Sequence, residues 1–169
     1  CNLESPNLLL MNQGDGTFVE KAGVFGLGQT VASTGAAFAD YDNDGDLDLY
    51  LLTNRVFRPT LAKEIAAEAK LPGRIRKTLD ELLAKELTFE VDGHRFMAGQ
   101  QDRLFRNDGY AQFVDVTEES GLKDMGNGLS VVWWDFDSDG YQDIYVANDF
   151  QSPDQLYRNV GGGKFVDVT

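Results

Sequence analysis

The 169-residue chain carries 28 Asp and Glu against 15 Lys and Arg, a formal net charge of −13, with 42% hydrophobic and 11% aromatic residues. That apolar content excludes a disordered chain, the lack of any basic stripe excludes nucleic acid as a partner, and the lack of an apolar run near 18 residues excludes a membrane-spanning helix. The single cysteine, Cys1, excludes an intrachain disulfide; lipid attachment, pairing with a cysteine elsewhere and a plain apolar role are its three readings.

The first element is an apolar run over 8–11 that ends on Asn12 and a glycine-rich turn, with Phe18 six places on. Next comes DYDNDGDLD at 40–48, between short apolar runs at 35–39 and 49–52 that read as strands, so the acidic stretch is the tip of a β-hairpin. It places carboxylates at its first, third, fifth and ninth positions and Gly45 at its sixth, where a sharp turn needs φ > 0. Carboxylates this close repel one another, so a fold that converges them requires a cation. Calcium is the natural choice, as a hard ion that takes about six to eight oxygens in flexible geometry; magnesium and manganese stay open, although magnesium demands a tighter octahedron. A helix-loop-helix calcium hand closes on Glu at its twelfth place, but that place here holds Leu51, so the loop closes early on Asp48. The competing reading is a plain polar turn rich in Asp, Asn and Gly.

Residues 55–99 change character. Thr60 caps a helix through about Lys70, with Leu61, Ile65 and Ala69 at four-residue steps, and Pro72 and Gly73 interrupt it. Ile75, Leu79, Leu82, Leu83 and Leu87 then form the apolar face of a second helix. Residues 87–91 and 95–97 make a small hairpin turning at Asp92 and Gly93, a favoured type I′ pair. The insertion either folds onto its own sheet or protrudes as a contact for another subunit. The only histidine, His94, reads as a solvated residue beside that turn.

After the insertion the earlier elements return. Residues 102–113 repeat the strand, Asn107 and its turn to Phe113; DFDSDGYQD at 135–143 repeats the acidic loop between apolar runs at 131–134 and 144–147; residues 154–165 repeat the strand, Asn159 and the turn to Phe165. The second loop also lacks the closing Glu, with Val146 at its twelfth place, and closes on Asp143. Asn12 and Asn107 lie 95 apart, as do Asp40 and Asp135, whereas Asn107 and Asn159 lie 52 apart. The simplest account is a unit of about 52 residues, one copy of which carries about 43 extra residues between Leu52 and Asp102. Two loops with one spacing argue against the plain-turn reading.

Each unit holds four short strands, the signature of a β-propeller blade. The expected fold is therefore all-β: blades of four-stranded antiparallel repeats forming a partial ring, with an α-helical insertion. Residues 1–54 would be the end of one blade and the first half of the next, 55–99 the insertion, and 100–169 the rest of that blade plus a second full one. A ring needs about four blades or more, so the chain is expected to be part of a longer ring, or one that closes between chains.

The stretch from Gly35 to Tyr50 resembles the FG-GAP or VCBS repeat of integrin alpha-chain propellers, and with NQGDGTF at 12–18 beside it the chain is similar to the cartilage acidic protein-like (ASPIC and UnbV) group. The resemblance covers roughly residues 1–54 and 100–169. It implies one calcium ion per loop, held by the side chains of Asp40, Asp42, Asp44 and Asp48 and of Asp135, Asp137, Asp139 and Asp143, with the backbone carbonyls of Asp46 and Tyr141 as further ligands. Gln142 departs from the pattern, which usually has an apolar residue there, and puts the packing beneath the second loop in question. The insertion lies outside the resemblance.

No nucleophile–base pair, phosphate loop or zinc spacing occurs, and acids gathered on calcium are held ionised, so no catalytic or cofactor-binding residues are assigned and the chain reads as a non-enzyme. The expected function is a calcium-binding β-propeller segment, its metal structural, acting as an extracellular, cell-surface or periplasmic module for protein interaction or adhesion. Its partner would be another protein, either the rest of the propeller or another subunit. Carbohydrate binding through exposed aromatics and a non-catalytic propeller within a larger polysaccharide-processing enzyme are the alternatives. Trp133 and Trp134 point to opposite faces of a strand: one packs between blades, and the other packs likewise or lines a sugar surface. The two calcium loops are expected to act independently, so that disabling one leaves the other nearly intact.

Overall fold

The computed structural model describes residues 1–2, 5–54, 88–91, 94–97, 99–109, 112–123, 125–149 and 152–169. The two helices expected in the insertion, and the turn at Asp92 and Gly93, lie outside the described residues. In chain order the strands are β1 (Leu10–Asn12), β2 (Phe18–Glu20), β3 (Ser33–Ala39), β4 (Asp48–Thr53), β5 (Thr88–Val91), β6 (His94–Met97), β7 (Arg103–Asn107) and β8 (Phe113–Asp115). The four-residue helix α1 (Thr117–Ser120) follows, then β9 (Gly128–Trp134), β10 (Asp143–Asn148), β11 (Gln155–Asn159) and β12 (Phe165–Asp167). No helix among the described residues is long and apolar enough to cross a membrane, which leaves strand-built spans unaddressed.

Among the described residues the fold is all-β and antiparallel, with almost no helix. Two four-stranded meanders, β3-β4-β7-β8 and β9-β10-β11-β12, are accompanied by the two-stranded sheets β1-β2 and β5-β6. β4 and β7 are hydrogen-bonded neighbours, with Leu49 opposite Phe105, although 49 residues separate Thr53 from Arg103 along the chain. The insertion therefore interrupts a sheet without disturbing its register. β5 pairs with β6 from Thr88↔Met97 to Val91↔His94, with two residues between the strands, as the Asp92 and Gly93 spacing predicts.

Strand β4 is buried along its whole length, which its unbroken apolar run LYLL at 49–52 requires, since alternate residues of a strand face opposite sides. Tyr50 and Leu52 join Leu104, Ile144, Val146 and Tyr157 in the core between the two large sheets. Leu49 and Leu51 face the other way and pack with Phe105, Ala22 and Leu27. β10 differs: Ile144 and Val146 are fully buried but Tyr145 is exposed. Among the described residues, Val132, Trp134 and Tyr145 lie exposed on the face of the second large sheet opposite this core.

The two large sheets meet along β3 and β9. Thr34 Oγ1 and Asn54 Nδ2 both donate to the Gly128 carbonyl, each at 3.1 Å, and Trp133 Nε1 donates to the Ala37 carbonyl at 3.2 Å. Gly128 is required by this closeness: a Cβ there would lie 2.4 Å from Leu52 Cδ1 and 2.7 Å from the Thr53 carbonyl oxygen. Trp133 is the tryptophan that packs between the sheets, lying against Tyr41, Tyr50 and Phe165. Its neighbour Trp134 is 56% exposed beside Phe136.

Candidate metal centres

Both acidic loops sit where their hairpins turn, between β3 and β4 and between β9 and β10. Each chain reversal uses two residues with positive φ at matching places: Asn43 (62°) and Gly45 (96°) in the first loop, Ser138 (61°) and Gly140 (91°) in the second. No atom would lie within 4 Å of a Cβ at Gly45 or Gly140, so glycine is there for its backbone conformation and not for space.

The same hydrogen bonds shape both loops. The two carboxylate oxygens of Asp40 accept from the N–H groups of Asp44 and Gly45, each at 3.0 Å, and those of Asp135 accept from Asp139 and Gly140 at the same distance. The Asp46 N–H donates to Asp44 Oδ1, and the Tyr141 N–H to Asp139 Oδ1, both at 2.9 Å. Asp48 accepts from the N–H groups of Tyr41 (3.2 Å) and Asn107 (2.8 Å), and Asp143 from those of Phe136 (3.0 Å) and Asn159 (2.7 Å). Backbone donors thus hold the carboxylates in position within each loop.

The result is two convergent triples: Asp40, Asp42 and Asp48, and Asp135, Asp137 and Asp143, each offering carboxylate oxygens that all lie within 4.8 Å of one another. Asp44 and Asp139, the fifth-place acids, are exposed and fall outside these triples. Asp46 places its carboxylate near Gly109. Tyr141 lies with its ring beside the turn at Gly161. The question raised by Gln142 has a simple answer: its counterpart Leu47 is 57% exposed, so no core beneath the loop depends on an apolar residue there.

The electrostatics are those of a site short of positive charge. Burial pushes the Asp48 carboxyl up to about 6, with the charges of Asp42 and Asp44 adding to the effect and the two N–H donors opposing it. Burial, followed by Asp44 and then Asp40, also raises Asp42, and its buried Oδ1 has no hydrogen-bond partner. Asp143 is raised too, first by burial, with Asp137 and Asp139 adding to it. A partnerless buried carboxylate oxygen among other carboxylates is costly unless a cation neutralises it. Hard oxygen donors of this kind fit calcium, which accepts them in flexible coordination geometry.

The role of the asparagine that ends β7 and β11 is the feature that sequence reasoning missed. Asn107 and Asn159 each hold the ninth-place Asp through their backbone N–H, and each donates a side-chain N–H to the loop carbonyl just before that Asp, Leu47 or Gln142, at 3.2 Å. Their side-chain oxygens accept from the turn N–H of Gly109 (3.1 Å) and Gly161 (3.0 Å). The Arg that precedes each Asn was missed as well: Arg158 approaches Asp137 at 3.9 Å, and Arg106 pairs with Asp108 at 2.6 Å. The recurring Arg-Asn pair at 106–107 and 158–159 was the available signal.

The FG-GAP-like repeat family matches residues 1–51, which include the whole first acidic loop. Over 87% of its length the chain is 27% identical to cartilage acidic protein 1 of Homo sapiens and 26% identical to that of Mus musculus, and the match to the Xenopus tropicalis protein is 25% identical. It spans about a quarter of the length of these relatives, 25% of the human protein. The chain is thus similar to an FG-GAP-like repeat over residues 1–51 and, over 87% of its length, to about a quarter of cartilage acidic protein 1.

Proposed function

We propose that this chain is a calcium-binding β-propeller segment in which each acidic hairpin holds one calcium ion as a structural element, and that it serves as a non-catalytic extracellular or cell-surface module for protein interaction. The observation that carries the reading is the double occurrence of one device: two carboxylate triples, the first and last acids of each held by the same set of backbone N–H donors. Asp40, Asp42 and Asp48 would hold one ion and Asp135, Asp137 and Asp143 the other. Asp44 and Asp139, with the carbonyls of Asp46 and Tyr141, are the further donors. Bound calcium supplies the positive charge that the crowded carboxylates lack, and the loops in turn hold the ends of β4 and β10 against their neighbours.

The two four-stranded meanders stacked face to face support reading them as propeller blades. Similarity to cartilage acidic protein 1 supports a secreted setting, where calcium is abundant enough for loops of modest affinity. Calcium titration followed by calorimetry tests the reading, with two ions per chain expected. With each site about tenfold above its dissociation constant, mass action adds roughly 1.4 kcal/mol per site, and a chelator removes it. Melting unchanged by chelator would overturn the structural role of the metal.

Carbohydrate binding is the second reading, favoured by exposed Trp134 with Phe136 at a ring-centroid distance of 6.0 Å. It predicts quenching of tryptophan emission by oligosaccharide, abolished by Trp134→Ala.

A further inference from the structure

We propose that Asn159 couples the two metal loops, so that filling one raises the affinity of the other; this rests on the calcium reading above. Although 95 residues separate Asp40 from Asp135 in sequence, the loops touch. The Asn159 side-chain NH2 donates to the Tyr41 carbonyl of the first loop at 2.8 Å and to the Gln142 carbonyl of the second at 3.2 Å. Its backbone N–H holds Asp143 Oδ1 at 2.7 Å. The residue is fully buried, so these bonds have no competition from water.

Tyr41 stands between Asp40 and Asp42, and its own N–H is held by Asp48 Oδ2. A shift of its carbonyl therefore moves all three members of the first triple. A second link runs beside the first: Asn43 Nδ2 donates to the Gly140 carbonyl at 3.2 Å, and the Gly140 N–H is held by Asp135 Oδ2. A third is the Tyr41 ring, stacked at 13° on Trp133, which lies two residues before Asp135. Asn107 donates to Leu47 in the first loop and accepts from Gly109 in its own turn, as Asn159 does with Gln142 and Gly161, and serves as an internal control.

Each loop must gather mutually repelling carboxylates before an ion can enter. Ordering one loop fixes one end of the bonds that order the other, so part of the ordering cost of the second site is met by the first. Coupling between sites is reciprocal by thermodynamic necessity.

The test is calcium titration of the whole chain by calorimetry, with Trp133 emission as a second signal. Asp137→Ala disables the second loop and is expected to weaken calcium at the first by about fivefold or more, the lower end of usual coupling. Asp42→Ala disables the first loop and should weaken the second by the same factor. With Asn159→Ala added, each single-site variant should leave the other site within about twofold. Asn107→Ala should weaken the first site and leave the coupling factor unchanged, which a merely structural role for these asparagines would not do. Asn43→Ser places in the first loop the residue that already stands at the same φ in the second. Being exposed, it keeps the test decisive should Asn159→Ala fail to fold, and the coupling factor is expected to drop by about twofold. Two ions that bind with unchanged affinity when the other site is disabled would overturn the coupling alone. An unaltered chain that binds no calcium would overturn the metal reading and the coupling with it.

Discussion

Asp48 makes the direction of the pH dependence a test of the metal. Its carboxyl is fully buried and raised from 3.8 to about 6 in the metal-free fold. Between those values the folded chain binds a proton that the unfolded chain does not, so metal-free stability falls as pH rises through this window. At roughly 1.4 kcal/mol per unit, the full effect is about 3 kcal/mol, fully developed below pH 4, with about 1 kcal/mol of it recovered on going from pH 7.5 to pH 5. Asp42 and Asp143 are shifted in the same direction. Thermal unfolding by circular dichroism in chelator should therefore give a melting temperature a few degrees higher at pH 5 than at pH 7.5, at roughly 2–4 °C per kcal/mol for a chain of this size. In saturating calcium the trend should reverse, because protons compete with the ion for the same oxygens. The carboxyls that hydrogen bonds hold low, among them Asp115 beside Thr117 and Arg103 and Asp154 beside Tyr145, release their stability only below their unfolded values and leave this window undisturbed. A metal-free chain that loses stability steadily from pH 7.5 to pH 5 would refute the reasoning.

Other substitutions separate charge, backbone and packing. Asp42→Asn removes the partnerless buried charge, so it should raise the melting temperature in chelator while abolishing most of the calcium-dependent gain, as read by paired melts. Gly45→Ala meets no neighbour but must hold φ near 96°, and denaturant unfolding should register a loss of about 1–2 kcal/mol. Gly128→Ala drives a methyl into Leu52 and the Thr53 carbonyl, and is expected to cost about 1–3 kcal/mol or more by the same assay. Tyr50→Phe removes a 2.8 Å bond to Asp102 in the buried core and should destabilise by about 1–3 kcal/mol, whereas Tyr145→Phe, at the exposed counterpart bond to Asp154, should cost little.

Much of this protein is written locally. The hairpin flanks, the turn glycines and the acidic spacing are set by neighbours a few residues away, because strand period, positive φ and carboxylate repulsion act over that range. The 95-residue offset between the loops therefore predicted two matching hairpins, and the hydrogen bonds of Asp40 and Asp135 agree at 3.0 Å throughout. The same local logic placed β4 and β10 and the pairing of β5 with β6. It could not choose among the acids of a loop, because four alternating aspartates look alike in one dimension. Burial at the root of the hairpin brings in Asp48 and Asp143, and the turn leaves Asp44 and Asp139 exposed.

The adjacency of the two loops, and with it the place of Asn159 between them, came from tertiary packing alone. Tyr41 and Asn159 are 118 residues apart, and no periodic pattern specifies which face of one sheet meets which face of the next. That is decided by how Tyr50, Leu52, Trp133 and Val146 fill the space between the sheets. Repeats in a sequence state what each unit is, because each unit folds through short-range bonds; what two units do to one another depends on contacts that exist only after their faces have closed.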